Sequence, residues 1–152
     1  MSQQNRYFIS GHTDLSFDDF IKHYKEPILI AIKNDPNCTF VVGDAPGVDI
    51  MAQHLLIRIL GEDGINRITV YHIGTHPKNI VFINDTPLKS TGGFTSHTAK
   101  DKAMTLASDI DIAYVRSNEE SKLLYGDKFN PKRISGTQQN INRRRKLKRR
   151  DS

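Results

Sequence analysis

Residues 40–53, FVVGDAPGVDIMAQ, contain the change of pattern that decides the fold class. The stretch begins with an apolar run typical of a buried strand, passes two glycines and continues with apolar residues at helical spacing. Such a turn is either a tight connection or the mouth of a binding site, because glycine lets a ligand approach the backbone closely. Two acids, Asp44 and Asp49, stand in and just after the turn. The stretch therefore predicts a strand–loop–helix unit whose loop is a candidate site.

The rest of the chain repeats this alternation. Apolar runs predict four strands, at residues 7–9, 39–42, 68–73 and 110–115. Helical spacing recurs between them, and Pro27 is expected to break the first helix or to open a second helical piece. Residues 74–96 and 116–134 show no helical period and are predicted to be long loops. Alternating strands and helices predict an α/β fold, a three-layer α/β/α sandwich with a mainly parallel sheet.

Composition limits the class of protein. A chain of 152 residues that is 37% hydrophobic fits one domain with an adequate core. The single cysteine, Cys38, excludes an internal disulfide, and no Cys/His spacing resembles a metal site. No stretch resembles a signal peptide or approaches the ~20 apolar residues of a membrane helix. We expect an intracellular protein without a membrane partner, cytoplasmic, or nuclear if the source is eukaryotic or infects eukaryotes.

The positive charge is concentrated at the end of the chain. The net charge is +5, and residues 143–151, RRRKLKRRD, alone carry +6, so the remainder carries −1. This divides the chain into a domain over residues 1–142 and a basic tail over residues 143–152. Like charges repel, so the tail is expected to be frayed or disordered. Three roles stay open for the segment from Arg143 to Arg150: a solvated tail, a nuclear localisation signal, or a contact with nucleic-acid phosphates.

Loops at the carboxyl ends of parallel strands are where ligands bind in open α/β sheets. The candidate ligand-binding residues at these ends are Ser10, Gly11, His12, Gly43, Asp44, Ala45, Gly47, Val48 and Asp49. Free N–H groups at Gly47 and Val48 suit a phosphate, whereas the two carboxylates suit ribose hydroxyls or a base amine. In the alternative interpretation, Asp49 only stabilises a helix dipole and His12 is a turn residue.

Two further segments precede predicted helices. Ser135, Gly136 and Thr137 form a second candidate anion cradle, and the alternative is an ordinary helix cap. Thr98 and Asp101 fit a capping box at the start of another helix. In the alternative, Asp101 or its neighbour Lys100 faces the site.

Four segments taken together resemble the SLOG superfamily: SGH at 10–12, VVGDAPGVDIMA at 41–52, DKAMTLASDIDIAYV at 101–115 and SGTQQNI at 135–141. They are similar to its YspA/YpsA-type branch, which is related distantly to DprA and to the LOG phosphoribohydrolases. The resemblance implies a Rossmann-like fold that binds a nucleotide or nucleotide-derived ligand at the strand ends. It places Gly43, Asp44, Gly47 and Asp49 around that ligand, assisted by residues 135–137.

Two classes of function stay open for this site, and no separate cofactor is predicted. The first is an enzyme of the nucleotide N-glycosidase or phosphoribohydrolase type, with Asp49, Asp44 and Asp101 as candidate catalytic carboxylates that stabilise positive charge on the sugar. The second is a module that senses or sequesters a nucleotide derivative without turnover. The enzyme is the first of the two, although the Pro-Gly-Gly-x-Gly-Thr-x-x-Glu motif of the LOG enzymes is absent, which favours the second class over an enzyme of the LOG type. The oligomeric state is open, with a homodimer among the alternatives.

Overall fold

A parallel sheet forms the centre of the molecule in the computed structural model, which describes residues 4–151. Its described strands, in their order across the sheet, are β6 (Lys89–Phe94), β3 (Ile68–Ile73), β2 (Thr39–Val42), β1 (Arg6–Ser10) and β7 (Ile110–Ala113). All the pairings between these neighbours are parallel. The carboxyl ends of the strands therefore lie along one edge, as ligand-binding α/β sheets require.

Helices cover both faces of the sheet, which confirms the predicted α/β/α sandwich. The helices are α1 (Phe17–Phe20), α2 (Glu26–Asn34), α3 (Val48–Leu60), α4 (Gly64–Arg67), α5 (His97–Leu106), α6 (Asn118–Tyr125) and α7 (Gly136–Asp151). Helices α1 to α3 pack on one face in the cluster that contains Ile9 and Val42. Helix α5 packs on the other face, where Met104 meets Phe8 and Val41. Successive strand residues alternate between the two faces, and both are buried, as in other parallel sheets.

Pro27 opens a helical piece, as one of the two alternatives predicted. Helix α1 continues through a π-helical turn, Ile21–Lys25, directly into α2, whose second residue is Pro27. Proline has no N–H to donate to the preceding turn. The wider π turn lies immediately before this residue, so the chain remains helical and does not break.

The two predicted long loops contain regular structure that the sequence pattern did not indicate. Residues 74–96 include a short hairpin, β4 (Phe82–Ile83) with β5 (Thr86–Pro87), and the edge strand β6. Residues 116–134 include α6, which begins with a capping box formed by Ser117 and Glu120. Strand β6 reads KSTGGF and is almost wholly exposed, so it lacks the apolar alternation on which strand prediction depends.

Strand β6 depends on a close approach to its neighbour β3. A Cβ atom added at Gly92 would lie 2.0 Å from Cε1 of His72, a side chain that is itself buried. Only glycine fits against this ring, so Gly92 allows β6 to pair with β3.

Helix α7 runs through Asp151 and crosses the predicted boundary at residue 142 without a break. The structure describes a helix where the sequence predicted a frayed or disordered tail, while the division of the chain at residue 142 stays a prediction. The helix is tied to the sheet by Arg144. This side chain is 7% exposed and donates to the carbonyl oxygens of Thr105 (3.0 Å) and Ser108 (2.7 Å). It also forms an ion pair of 3.1 Å with Asp111 on β7. Among residues 4–151, no helix has the length and hydrophobicity needed to cross a membrane.

Candidate functional site

The ends of β1 and β2 bring the first two predicted loops together. Ile9 pairs with Val42, so Ser10 and Gly43 follow as neighbours at the carboxyl edge. Gly47 has φ 77°, and a Cβ atom there would lie 2.4 Å from the Thr13 carbonyl oxygen, so this position requires glycine. The Val48 N–H donates to the His12 carbonyl oxygen at 3.2 Å. The amide predicted to hold a phosphate is therefore already bonded within the chain.

Asp44 ties the following loop to the end of β2. Its side chain is buried, and Oδ2 accepts a hydrogen bond from the Lys78 N–H at 2.7 Å. Its Oδ1 lies 3.8 Å from Nζ of Lys100. Both carboxylate oxygens of Asp44 therefore already have partners within the protein. The structure gives Asp44 the role of holding the loop in place.

Gln53 supports the same loop, although sequence reasoning treated it only as part of a helix. It is fully buried on α3, and its Nε2 donates to the carbonyl oxygens of Gly43 (3.2 Å) and Asn79 (3.1 Å). Its Oε1 accepts from the Val81 N–H at 3.0 Å. A glutamine on the apolar stripe of α3, beside Ala52 and Leu56, is the sequence signal that could have revealed this role.

Asp49 lies at the start of α3 and turns back over the loop. Its Oδ2 accepts from the Ala45 N–H at 3.1 Å and would lie 2.3 Å from a Cβ atom added at Gly43. Burial raises the pKa of Asp49 to about 7, against the lowering effects of the Ala45 hydrogen bond and of Lys100. Asp49 as a whole residue is partly exposed. Its carboxylate, however, is buried against the main chain of Gly43 and Ala45, and this burial raises the pKa. Asp49 therefore carries a proton in part of its population near neutral pH.

Lys100 reaches the same point from α5. The residue is 4% exposed, and its Nζ would lie 3.4 Å from a Cβ atom added at Gly43. Its closest described partner is Asp44, at 3.8 Å, which is an ion pair without a hydrogen bond. Within residues 4–151, this ammonium group donates no hydrogen bond to protein. The ion pair with Asp44 offsets part of the cost of burying this charge.

Asp101 does not belong to a capping box, and that prediction is wrong. The N-cap of α5 is Ser96, whose hydroxyl accepts from the Ala99 N–H at 3.1 Å. Asp101 therefore lies in the second turn of α5. Burial raises its pKa, while the charges of Lys100 and Arg143 lower it.

Ser10 has the other unused polar group at this edge. Its hydroxyl oxygen is buried and has no hydrogen-bond partner within the described residues. Ser10 follows Phe8 by two residues and so faces the α5 side of the sheet, from which Lys100 also approaches. Ser10, Gly43, Asp49 and Lys100 together form what we call the strand-end niche.

His12 and Tyr24 hold the diverging ends of β1 and β7. His12 Nε2 accepts the Arg116 N–H at 3.0 Å, and burial, with the charge of Arg116, lowers its pKa. Its Nε2 is thus bonded within the chain, and a ligand contact by His12 stays a prediction. The Tyr24 hydroxyl donates to the Ser10 carbonyl oxygen (2.7 Å) and accepts from the Tyr114 N–H (2.9 Å). The sequence pattern did not indicate this bridge between β1 and β7.

The segment of residues 135–137 acts as a cap in the structure. The Ser135 hydroxyl accepts from the Gln138 N–H at 3.1 Å, and Thr137 is buried. No hydrogen bond joins Ser135, Gly136 or Thr137 to the strand-end niche within the described part of the chain. The anion-cradle hypothesis for this segment stays a prediction.

Two cavities lie away from the niche. One of about 290 Å³ is lined by Gln4, Asp35, Asn37 and Arg67. Another, of about 310 Å³, lies between β7 and α7. Across residues 4–151, no three His, Cys, Asp or Glu side chains are grouped as metal ligands.

Comparisons of the chain with protein-family models, with curated proteins and with solved structures find no match. The fold and the niche define the class: a Rossmann-like α/β protein with a polar cluster where β1 and β2 end. The resemblance to the SLOG superfamily stays a prediction.

Proposed function

We propose that this protein binds a nucleotide-derived small molecule at the strand-end niche, with a ribosyl hydroxyl pair held by Ser10, Asp49 and Lys100. One observation carries the proposal: within the described residues the Ser10 hydroxyl is buried without a hydrogen-bond partner, beside a Lys100 ammonium whose closest contact is an ion pair of 3.8 Å with Asp44. The Ser10 hydroxyl therefore bears the cost of burial without the bond that normally offsets it. A ligand with oxygen atoms at this point would supply the missing partner.

The charges around the niche favour hydroxyls over phosphate. Asp44 and Asp101 lie near the single ammonium group, and Asp49 adds a carboxylate that is partly ionised near neutral pH. A phosphate would meet this acidic surrounding and be repelled. A pair of vicinal hydroxyls can accept a hydrogen bond from Lys100 and donate one to Asp49, so it complements both the donor and the acceptor of the niche. A ribose supplies such a pair.

The decisive experiment removes one niche group at a time. Ser10→Ala deletes a buried hydroxyl that has no partner, so the ligand-free protein should be as stable as the unmodified protein or more so. Its affinity for the ligand should fall. Lys100→Met should weaken binding about tenfold or more, since a hydrogen bond from a charged group contributes ~1.5–3 kcal/mol. Calorimetry with AMP, ADP-ribose and NAD measures these affinities, and 2′-deoxy-AMP tests the hydroxyl requirement.

Lys102→Met is the matched control, because Lys102 is an exposed lysine on the same helix. Its affinity should equal that of the unmodified protein. The proposal fails if no ribose-containing compound binds, or if Ser10→Ala and Lys100→Met bind as tightly as the control.

Turnover of the ligand is a second candidate function, favoured by the pKa of Asp49. A carboxyl group with a pKa of about 7 is suited to general acid–base work at neutral pH. Chromatography of the same compounds after incubation would detect base release from the N-glycosidic bond. Asp49→Asn should weaken binding, because Asp49 also accepts from the hydroxyl pair, and it should abolish release even at ligand concentrations that saturate the variant. Binding without release would identify a sensor or sequestering module instead.

Nucleic-acid contact through the segment from Arg143 to Arg150 is a separate proposal with a different surface. The homodimer and the intracellular location stay predictions.

A further inference from the structure

The C-terminal half of α7 presents a cluster of exposed basic side chains on a fixed helix. The members are Arg145, Lys146, Lys148, Arg149 and Arg150, which we call the α7 basic face. Arg144 does not belong to it, because its guanidinium is buried against Ser108 and Asp111. Arg143 is partly buried and donates to Asn140 Oδ1 at 2.6 Å. In the run of seven basic residues, Arg144 thus anchors the helix to the domain, and the α7 basic face is exposed.

The anchor holds the surface in place. Arg144 joins α7 to the end of α5 and to β7 through the Thr105 and Ser108 carbonyls and the Asp111 carboxylate. Its neighbours Arg145 and Lys148 lie around the cavity between β7 and α7. The charges are therefore presented by a helix docked on the domain, and binding need not first order a disordered tail.

We infer that the α7 basic face docks duplex nucleic acid through its phosphates, without choosing a sequence. Five cationic side chains close together match the regular negative charge of a duplex backbone, and released counterions drive such binding. Arg, Lys and a helix are the elements that usually contact phosphates.

Other partners fit this face less well. A helix that lies on a membrane buries large apolar side chains, and the exposed large hydrophobic residues described in this structure include none on α7. Protein interfaces depend on aromatic and apolar anchors, which the face also lacks. Single-stranded nucleic acid is bound by stacking on aromatic rings, and α7 contains no aromatic residue. Duplex phosphates require only the charges that are present.

The test is the salt dependence of binding of the full chain to a mixed-sequence DNA duplex. Five contacts limit the slope of log K against log salt to about 4.5, at ~0.9 per contact, so affinity should fall by up to about 500-fold for a fourfold rise in salt. Arg145→Gln/Lys146→Gln/Arg150→Gln leaves two exposed charges and should reduce the slope to about 2 or less. Glutamine keeps helix propensity close to that of lysine and arginine.

Lys22→Gln/Lys25→Gln/Lys33→Gln is the matched control. It removes the same charge from exposed lysines in residues 17–34, whose helices pack on the opposite face of the sheet. This control should retain the slope and affinity of the unmodified chain. Equal loss in both triple variants would show that net charge alone matters and would overturn the inference.

Three other results would also overturn it: a slope unchanged by the α7 variant, a strong preference between two unrelated duplex sequences, or tighter binding to phosphatidylserine vesicles than to duplex at the same salt. Each variant keeps Arg144, so circular dichroism should show the helix content of the unmodified chain.

Discussion

At the scale of single residues, Asp44 and Asp49 show how the surroundings of a carboxyl group determine its role. Asp44 and Asp49 are five residues apart in one loop, yet the structure gives them different tasks. Asp44 accepts a backbone N–H and faces Lys100, so it acts as a loop tether. Asp49 is pressed against the main chain at Gly43, and burial raises its pKa to about 7. Burial thus gives the Asp49 carboxyl group a pKa suited to proton exchange near neutral pH.

The pH dependence of stability tests this difference. The native state keeps the Asp49 proton up to about pH 7, whereas the unfolded state loses it near pH 4, so this group makes stability fall as pH rises between those values. At ~1.4 kcal/mol per pKa unit, the loss is at most about 4 kcal/mol. Asp49→Asn should remove this decline. Asp101 and Asp111 have raised pKa values and add declines of their own, so the difference between the two proteins is the measured quantity.

Urea denaturation across this pH range gives the required free energies of unfolding. Asp63→Asn, which removes an exposed carboxylate beyond the far end of α3, reports the effect of losing surface charge alone. Parallel curves for the unmodified protein and Asp49→Asn would show that Asp49 is not held in its neutral form.

At the scale of elements, α5 shows that a plausible cap can be displaced by two residues. Thr98 and Asp101 have the spacing of a capping box, but Ser96 occupies the N-cap and bonds to the Ala99 N–H. Strand β6 ends at Phe94, so the chain enters the helix earlier than the apolar pattern suggested. Because the N-cap is Ser96 and not Thr98, Lys100 lies on the buried side of α5 and reaches the niche.

Alanine substitution separates the two capping models. Ser96→Ala should cost about 1 kcal/mol of stability, because it removes the N-cap acceptor. Thr98→Ala should stay within about 0.5 kcal/mol, since Thr98 is exposed on the helix surface. Thermal unfolding of both variants measures the difference. A larger loss for Thr98→Ala would restore the capping box predicted from the sequence.

At the scale of the whole molecule, Arg144 joins the last helix to the sheet. Its ion pair with Asp111 spans 33 residues of chain and connects α7, α5 and β7 at one point. Removing one partner of a buried pair leaves the other without compensation, which is more costly than replacing both. Arg144 therefore ties the C-terminal helix to the sheet at this point.

A double-mutant cycle measures this connection. Arg144→Met should lower the free energy of unfolding by about 3–5 kcal/mol, because Asp111 and two carbonyl groups lose their donor. Arg145→Met, at the exposed neighbouring position, should change it by less than about 0.5 kcal/mol. Combining Arg144→Met with Asp111→Val should cost less than the sum of the single changes. Strict additivity in urea denaturation would show that the two side chains do not interact.

The sequence alone determined the features that have a local, periodic pattern. The apolar runs predicted strands β1, β2 and β3 and the position of β7, and helical spacing predicted the main helices. From these elements the parallel α/β/α sandwich followed. Such patterns can be recognised because the side chains that face the core recur every two residues along a strand and every 3.6 residues along a helix.

Tertiary structure alone decided the features that depend on distant partners. Strand β6 is polar and forms by pairing with β3 beside His72, and Arg144 is an anchor only because Asp111 lies under it. The unpartnered hydroxyl of Ser10 and the ion pair of Lys100 with Asp44 likewise appear only when β1, β2 and α5 meet. Burial, pKa and hydrogen bonding depend on what surrounds a group in space, and no local pattern along the chain records those surroundings.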